Sequence, residues 1–479
     1  MNFSMVRYIV GWLMLLCSAL MMLPMIVGII YGEKATIGFL ISGLIALAIG
    51  FLVRMKKPKN TRIDAKEGLI LVSISWIVIS LIGSIPFIVT ESIKSPVDAF
   101  FETVSGFTTT GASILNDVEA LPKSIIFWRS FTHWIGGMGI LVFVLAVFPL
   151  TGSNYMSIMK AESPGPKVGK LVPKVKSTAK MLYIMYISLT IIEILLLLIT
   201  GMPFFDSLCL SFGTAGTGGF GIRNDSIASY KIIHQVIIGI FMILFGVNFN
   251  VYFLLWNKKI KEAVKCEELR NYLTVIVVAI IVIFASVHGI YKDAWLALKD
   301  IFFTVASIIT TTGYATADFD TWPQLAKAIL VTIMFIGACA GSTGGGIKVS
   351  RCFIMLKTVL KEVHAYLYPN NIEKIRYEGK VVEHNVLRSI NVFVMTYISF
   401  FIISFLLVSV DNYSFTSNFT AVTSAINNIG PGLEEVGPTC NFSHYSIPAK
   451  IVLTIDMLAG RLEIFPILML FVPRAWKKF

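Results

Sequence analysis

Ser105-Gly106-Phe107-Thr108-Thr109-Thr110-Gly111 is a small, polar segment that ends on glycine, and the chain repeats its pattern three more times. The other copies are Gly213-Thr214-Ala215-Gly216-Thr217-Gly218-Gly219, Ser307-Ile308-Ile309-Thr310-Thr311-Thr312-Gly313 and Ser424-Ala425-Ile426-Asn427-Asn428-Ile429-Gly430. Seven residues before each copy lies a residue suited to begin a helix, namely Asp98, Asp206, Asp300 and Ser417. Their side-chain oxygens can accept from the unpaired amides of a first helical turn. Each unit therefore predicts a long apolar helix, a short capped helix of about two turns, a turn ending in glycine, and a second long helix. One Thr-Thr-Gly alone reads as a packing or turn element. Four at one offset, each between long apolar runs, predict four re-entrant loops around one pore.

The composition agrees with a chain that lives in lipid. Of 479 residues 56% are hydrophobic and 14% charged, with a mean hydropathy of +0.78, whereas soluble domains carry about 25% charged residues. Crossing a ~30 Å hydrocarbon core takes about 20 helical residues. Runs of that kind lie at 5–30, 35–53, 67–90, 124–150, 180–201, 230–256, 272–291, 326–347, 386–409 and 448–472. They are continuously apolar, which predicts helices and not the alternating strands of a barrel. The first follows Arg7 but is too long for the core of a cleaved leader, so it is read as a span. The expected fold is an all-α membrane protein with four pseudo-symmetric repeats of outer helix, pore helix and second helix around one pore. An amino-terminal two-helix hairpin precedes them. The corresponding boundaries are 1–60 for the hairpin, then 61–165, 166–262, 263–375 and 376–479 for the four repeats.

Net charge is +12, and its placement reports topology. Of the 40 lysines and arginines, 29 fall at Arg7 and in the stretches 54–66, 151–180, 257–270, 348–388 and 474–479. That asymmetry is the positive-inside pattern. It predicts both termini and these stretches in the cytoplasm, the glycine turns outside, and membrane lipid as the partner of the basic face. Nucleic acid is not indicated. The six cysteines have neither metal-site nor disulfide spacing. Gly216 to Gly221 satisfies G-x-G-x-x-G literally but opens no βαβ unit, and in Gly341 to Lys348 an isoleucine separates the glycines from the lysine. No catalytic constellation is visible, so an enzyme is not expected. The reading from another class is an intramembrane enzyme or sensor using His133, Asp456 and Glu463.

The residue types suit a dehydrated cation. A half-length helix entering from outside points its carboxyl end, carrying about half a negative charge, at the membrane middle. The turn that follows has no bulky side chain, so its carbonyls can replace an ion's hydration shell, and glycine allows the backbone angles this needs. The candidate filter residues are Thr109, Thr110 and Gly111; Thr217, Gly218 and Gly219; Thr311, Thr312 and Gly313; and Asn428, Ile429 and Gly430. Potassium is the expected ion, with no organic cofactor. Further on, Gly341, Ser342, Thr343, Gly344, Gly345 and Gly346 predict a break in the eighth span, because each interior glycine costs a helix up to about 1 kcal/mol. On residue type alone the break serves close helix packing equally well. Arg461 lies within the last span, where a charge costs ~2.5–3.5 kcal/mol on insertion scales. It either faces the pore or pairs with Asp456, Glu463 or Glu193. Lys348 is expected at the inner mouth, reaching for the interface.

With the glycine turns, three further motifs carry a resemblance. They are His133-Trp134-Ile135-Gly136-Gly137-Met138-Gly139, the run from Gly341 through Gly346 to Ile347-Lys348, and Gly460-Arg461-Leu462-Glu463-Ile464-Phe465-Pro466. Together they cover nearly the whole chain, which resembles the Trk/Ktr/HKT superfamily of potassium transporters, its Trk branch in particular. The resemblance implies potassium uptake across a bacterial cytoplasmic membrane, either by channel-like gated flow or by symport with protons or sodium. It implies that Gly111, Gly219, Gly313 and Gly430 are filter glycines, glycine at the first favouring potassium over sodium. It also implies that Gly341 to Gly346, with Lys348 and Arg461, form a gate beneath the filter. The implied partners are a second copy, as a homodimer with one pore per chain, and a cytoplasmic nucleotide-binding RCK ring (TrkA-like). With no soluble domain after Arg474, nucleotide control is expected from that separate polypeptide, docked on 151–180 and 348–388.

Overall fold

Residues 2–59, 63–139, 175–370 and 373–476 are described by a computed structural model. It is helical throughout except for one two-stranded hairpin, Arg376–Tyr377 against Lys380–Val381. Six of its helices are long and apolar enough to cross a membrane. The protein is a multi-pass helical membrane protein.

Helices α1 (Phe3–Leu20) and α2 (Met22–Ile30) run nearly as one, and α3 (Ala35–Arg54) returns against them. Small residues let the backbones approach. A Cβ on Gly11 would lie 3.0 Å from Gly50 O, and Ser18 Oγ donates to Gly43 O at 2.7 Å, the packing expected where lipid offers no hydrophobic drive.

Four similar units follow. The first has α4 (Ala65–Val89), α5 (Pro96–Phe107) and α6 (Lys123–Gly137), and the second α7 (Val175–Ile199), α8 (Phe204–Gly216), α9 (Ile232–Gly246), α10 (Phe249–Trp256) and α11 (Ile260–Lys265). The third has α12 (Glu267–Val287), α13 (Ala294–Ile309), α14 (Gln324–Ile336) and α15 (Val349–Leu367), then the hairpin strands β1 and β2. The fourth has α16 (His384–Val408), α17 (Phe415–Asn427), α18 (Ile447–Arg461) and α19 (Phe465–Leu470). Apolar side chains face outward on the long helices, as Ile184, Ile191, Leu195 and Ile199 do on α7. The short helices α5, α8, α13 and α17 sit at the centre, their carboxyl ends buried with the polar residues that follow.

Three expectations need correction. The short helices have 12 to 16 residues, well beyond two turns. Asp98, Asp206 and Ser417 do not cap them. They stand three positions inside, after Ser95, Pro203 and Ser414, while α13 starts a turn earlier behind Asp293. Ser95 and Ser414 accept the amides of Asp98 and Ser417. The aspartates instead reach sideways: Asp98 pairs with Lys450 at 2.8 Å, Asp300 with Lys299 at 2.6 Å, and Asp206 accepts from Tyr230 at 2.8 Å.

The third correction concerns the second long helices. A break was expected only in 326–347, where α14 indeed stops at Ile336. The run 230–256 also breaks, turning by 91° between α9 and α10, and 448–472 breaks at Glu463 and Ile464, both at positive φ. In the first unit α6 stops at Gly137; residues 140–150 of its expected span, and 151–174 of the expected basic dock, lie outside the described residues. In all four units the helix after the glycine turn has only 13 to 15 residues, which leaves room beneath the centre.

Candidate functional site

Each short helix ends in the same hydrogen-bonded turn. The residue before each key glycine donates its amide to the carbonyl five positions back: Thr110 to Ser105 (2.9 Å), Gly218 to Gly213 (2.8 Å), Thr312 to Ser307 (2.8 Å) and Ile429 to Ser424 (3.0 Å). One residue earlier, Thr109, Thr217, Thr311 and Asn428 donate to Gly106, Thr214, Ile308 and Ala425 at 3.0 to 3.3 Å. This pair of bonds is the Schellman ending, whose left-handed position is usually glycine. Here threonine takes it three times and asparagine once, at φ 55° to 58°. A β-branched residue there is a conformational outlier, and such strain gathers at functional sites.

The glycines close a ring. Gly111, Gly219, Gly313 and Gly430 all have positive φ, from 74° to 104°. A Cβ on Gly111 would collide with Gly218 O, one on Gly219 with Thr312 O, and one on Gly313 with Ile429 O. One on Gly430 would come within 2.9 Å of Thr110 O. Each unit's glycine therefore abuts the preceding residue's carbonyl in the next unit, and the fourth returns to the first. Threonine hydroxyls brace units one and three, Thr108 to Thr110 at 2.8 Å and Thr310 to Thr312 at 2.7 Å. Asn428 Nδ2 bridges units four and one by donating to Thr110 Oγ1 at 2.9 Å.

Beneath the ring lies the segment Gly337–Lys348. Its Gly344 and Gly345 sit so close under Thr310 O and Asn427 O that side chains there would collide. Gly345 N donates to Thr311 Oγ1 at 2.6 Å. Arg461 comes up beside it: Nη1 donates to Thr109 Oγ1 (3.1 Å) and Thr343 O (2.8 Å), Nη2 to Gly137 O (2.8 Å) and to Gly136 O. Of its three candidate carboxylate partners, Glu463 pairs with Arg351 at 2.8 Å and Asp456 accepts from Ser404 at 2.6 Å, while Glu193 is buried on α7. Lys348 differs from expectation. It is 3% exposed and folds back to donate to Gly344 O, because the chain turns under the centre before α15 begins. The segment, Arg461 and Lys348 line one cavity of about 100 Å³ with Trp76, Phe393 and Tyr397, room for several waters.

Two supports went unnoticed in the sequence. Arg129 Nη2 pairs with Glu102 Oε1 at 2.8 Å, both buried, and Glu102 Oε2 accepts Ile114 N at 3.0 Å. The pair ties α5 and α6 to the extended segment just after Gly111. Its only hint was a charge in each apolar stretch. His133 is buried and bridges two units. Its Nε2 accepts Phe220 N at 3.2 Å, so Nδ1, 2.8 Å from Gly106 O, is the protonated donor of a neutral ring. His133, Asp456 and Glu463 thus have separate partners and form no common centre. Among the described residues no three His, Cys, Asp or Glu side chains gather as a metal site.

Fold and site together define a class: helical membrane proteins in which four half-length helices meet at a ring of glycines and backbone carbonyls. The model of a family described as TrkH, a cation transport protein, matches residues 36–290 and 271–478. The Trk system potassium uptake protein TrkH of Salmonella typhimurium is 36% identical and that of Escherichia coli K12 35%, each over the full length of both chains. An uncharacterised cation transporter of Methanocaldococcus jannaschii is 32% identical over 98% of this chain and 96% of its own. The crystal structure of the potassium transporter TrkH from Vibrio parahaemolyticus superimposes with a TM-score of 0.90 at 32% identity, covering 100% of both chains. The chain belongs to the TrkH family of cation transport proteins, and it is a transporter, not an enzyme.

Proposed function

We propose that this chain takes up potassium across the bacterial cytoplasmic membrane by gated, channel-like flow through the ring of Gly111, Gly219, Gly313 and Gly430. The supporting observation is closure of that ring, each glycine against the next unit's carbonyl. Four helix carboxyl ends aimed at its base favour a cation. The carbonyls of Thr110, Gly218, Thr312 and Ile429 strip and replace its water. Membrane potential supplies about 2.3 kcal/mol per charge per 100 mV, so potential working against the potassium gradient drives inward flow with no coupled ion.

In this reading Gly341 to Gly346 are the gate, held shut by Arg461 and Lys348, whose cations occupy the carbonyls of Thr343 and Gly344. Both termini and the basic stretches lie in the cytoplasm. A second copy seats on α15, where exposed Leu356, Leu360, Val363 and Leu367 form a stripe spaced as in helix pairing. A nucleotide-binding RCK ring docks on the basic face.

The test is rubidium uptake into liposomes, with Gly111 and separately Gly313 changed to serine. Selectivity over sodium falls in both if the ring is the filter; unchanged selectivity removes the proposal. Flux that reverses at the potassium equilibrium potential whatever the proton and sodium gradients favours flow over symport.

A further inference from the structure

The segment Gly337–Lys348 is also anchored at its incoming limb, by Glu268. Glu268, in the first turn of α12, is 4% exposed. One carboxylate oxygen, Oε1, accepts Ala340 N at 2.7 Å; the other, Oε2, accepts Asn248 Nδ2 at 2.9 Å. Asn248 caps α10 at the break of the second unit, and the same break takes two backbone bonds from the segment, Cys339 N to Gly246 O and Phe249 N to Gly341 O, both 3.1 Å. Glu268 therefore clamps the incoming limb of the segment to the bend between α9 and α10. With both oxygens engaged and water excluded, loss of this side chain leaves the buried amide of Ala340 without a partner.

The clamp continues to the surface of the basic face. Glu268 N donates to Glu378 Oε1 at 2.8 Å, and Cys266 Sγ approaches the same oxygen at 3.2 Å. Glu378 is the first turn residue of the β1–β2 hairpin. With Gly379 it has positive φ, 50° and 70°, the geometry of a tight two-residue turn. Its amide donates to Glu267 Oε2 at 3.0 Å, and Glu267 also pairs with Lys357 of α15. The hairpin is seated by Tyr377, buried with Ile354 and Ile390 between α15 and α16. A displacement of the hairpin thus moves the end of α12 that carries Glu268.

Resting on the reading of Gly341 to Gly346 as the gate, we infer that Glu268 is a positioning residue that latches this gate shut, and that the β1–β2 hairpin, through Glu378, is the handle by which an event on the basic face releases it. Arg461 and Lys348 hold the middle of the segment. Glu268 holds its incoming limb and, through Glu378, joins that limb to the surface hairpin.

The test uses the full chain in liposomes and reads rubidium uptake and the rubidium-to-sodium ratio. Glu268→Ala raises uptake about tenfold, the factor that corresponds to ~1.4 kcal/mol, with the ratio unchanged. Glu268→Gln keeps an oxygen for Ala340 N and stays close to the parent, and Glu378→Ala gives a smaller rise. A purely structural role lowers uptake or spoils the ratio, and either result overturns the inference. A variant lacking Ser342, Thr343 and Gly344 separates the two readings. If it raises uptake and Glu268→Ala does not, the latch fails and the gate stands; if it raises nothing, the gate itself fails. Should Glu268→Ala not fold, Asn248→Ala and Glu378→Ala each loosen one end of the clamp, and no rise in either overturns the latch.

Discussion

Thr109, Thr217, Thr311 and Asn428 carry the backbone turn that presents each glycine, and all four are left-handed. For an L residue that conformation costs ~1–2 kcal/mol, so the ring is held in a strained form by its surroundings. Side chains added at the glycines should rank by the room they find. Alanine at Gly111, Gly219 or Gly313 meets a carbonyl squarely and is expected to lower uptake and its selectivity over sodium the most, leaving a measurable residual flux. At Gly430, with Thr110 O at 2.9 Å, the loss should be the smallest of the four. Rubidium uptake by the four variants at equal expression checks the order. Thr311 has a second task, since its hydroxyl accepts Gly345 N from the segment below. Thr311→Val leaves that buried amide without a partner, a penalty of ~1–3 kcal/mol, which loosens the segment; uptake should rise, by about tenfold per 1.4 kcal/mol.

Among the elements, the four units were legible because their period, glycine positions and flanking apolar runs survive in the sequence. The breaks of the second helices were less so. The third unit announces its break with glycines from Gly337 to Gly346. The break after Gly246 depends on Asn248 capping a new helix, and the one at Ile464 places an isoleucine at φ 66°, for which no residue preference speaks. Assigning the caps failed for a similar reason: an aspartate three positions into a helix is as compatible with its dipole as one at the cap, and only tertiary partners such as Lys450 tell them apart. The Glu102–Arg129 pair gives this scale its prediction. Removing one member of a buried pair typically costs 3–5 kcal/mol, so Glu102→Gln should melt markedly earlier in detergent. Because Ile114 N also loses its carboxylate, sodium exclusion should weaken in the same variant.

For the molecule as a whole, composition and the placement of basic residues already indicated a multi-pass protein, and the match to a family over its full length agrees. What the sequence could not convey is how the site closes. Each contact of the ring joins residues from different units, and each tie of Arg461 spans more than a hundred positions. Seating of a second copy on α15 is testable at this scale. Leu360→Lys with Val363→Lys should shift the detergent-solubilised protein from dimer to monomer by light scattering, while leaving its melting temperature nearly unchanged.

The central claim is that four backbone turns surround one dehydrated potassium ion. Anomalous diffraction from crystals grown in rubidium or thallium tests it directly. A peak is expected on the axis bounded by the carbonyls of Thr110, Gly218, Thr312 and Ile429. Full occupancy elsewhere, with that position empty at saturating ion, would contradict it.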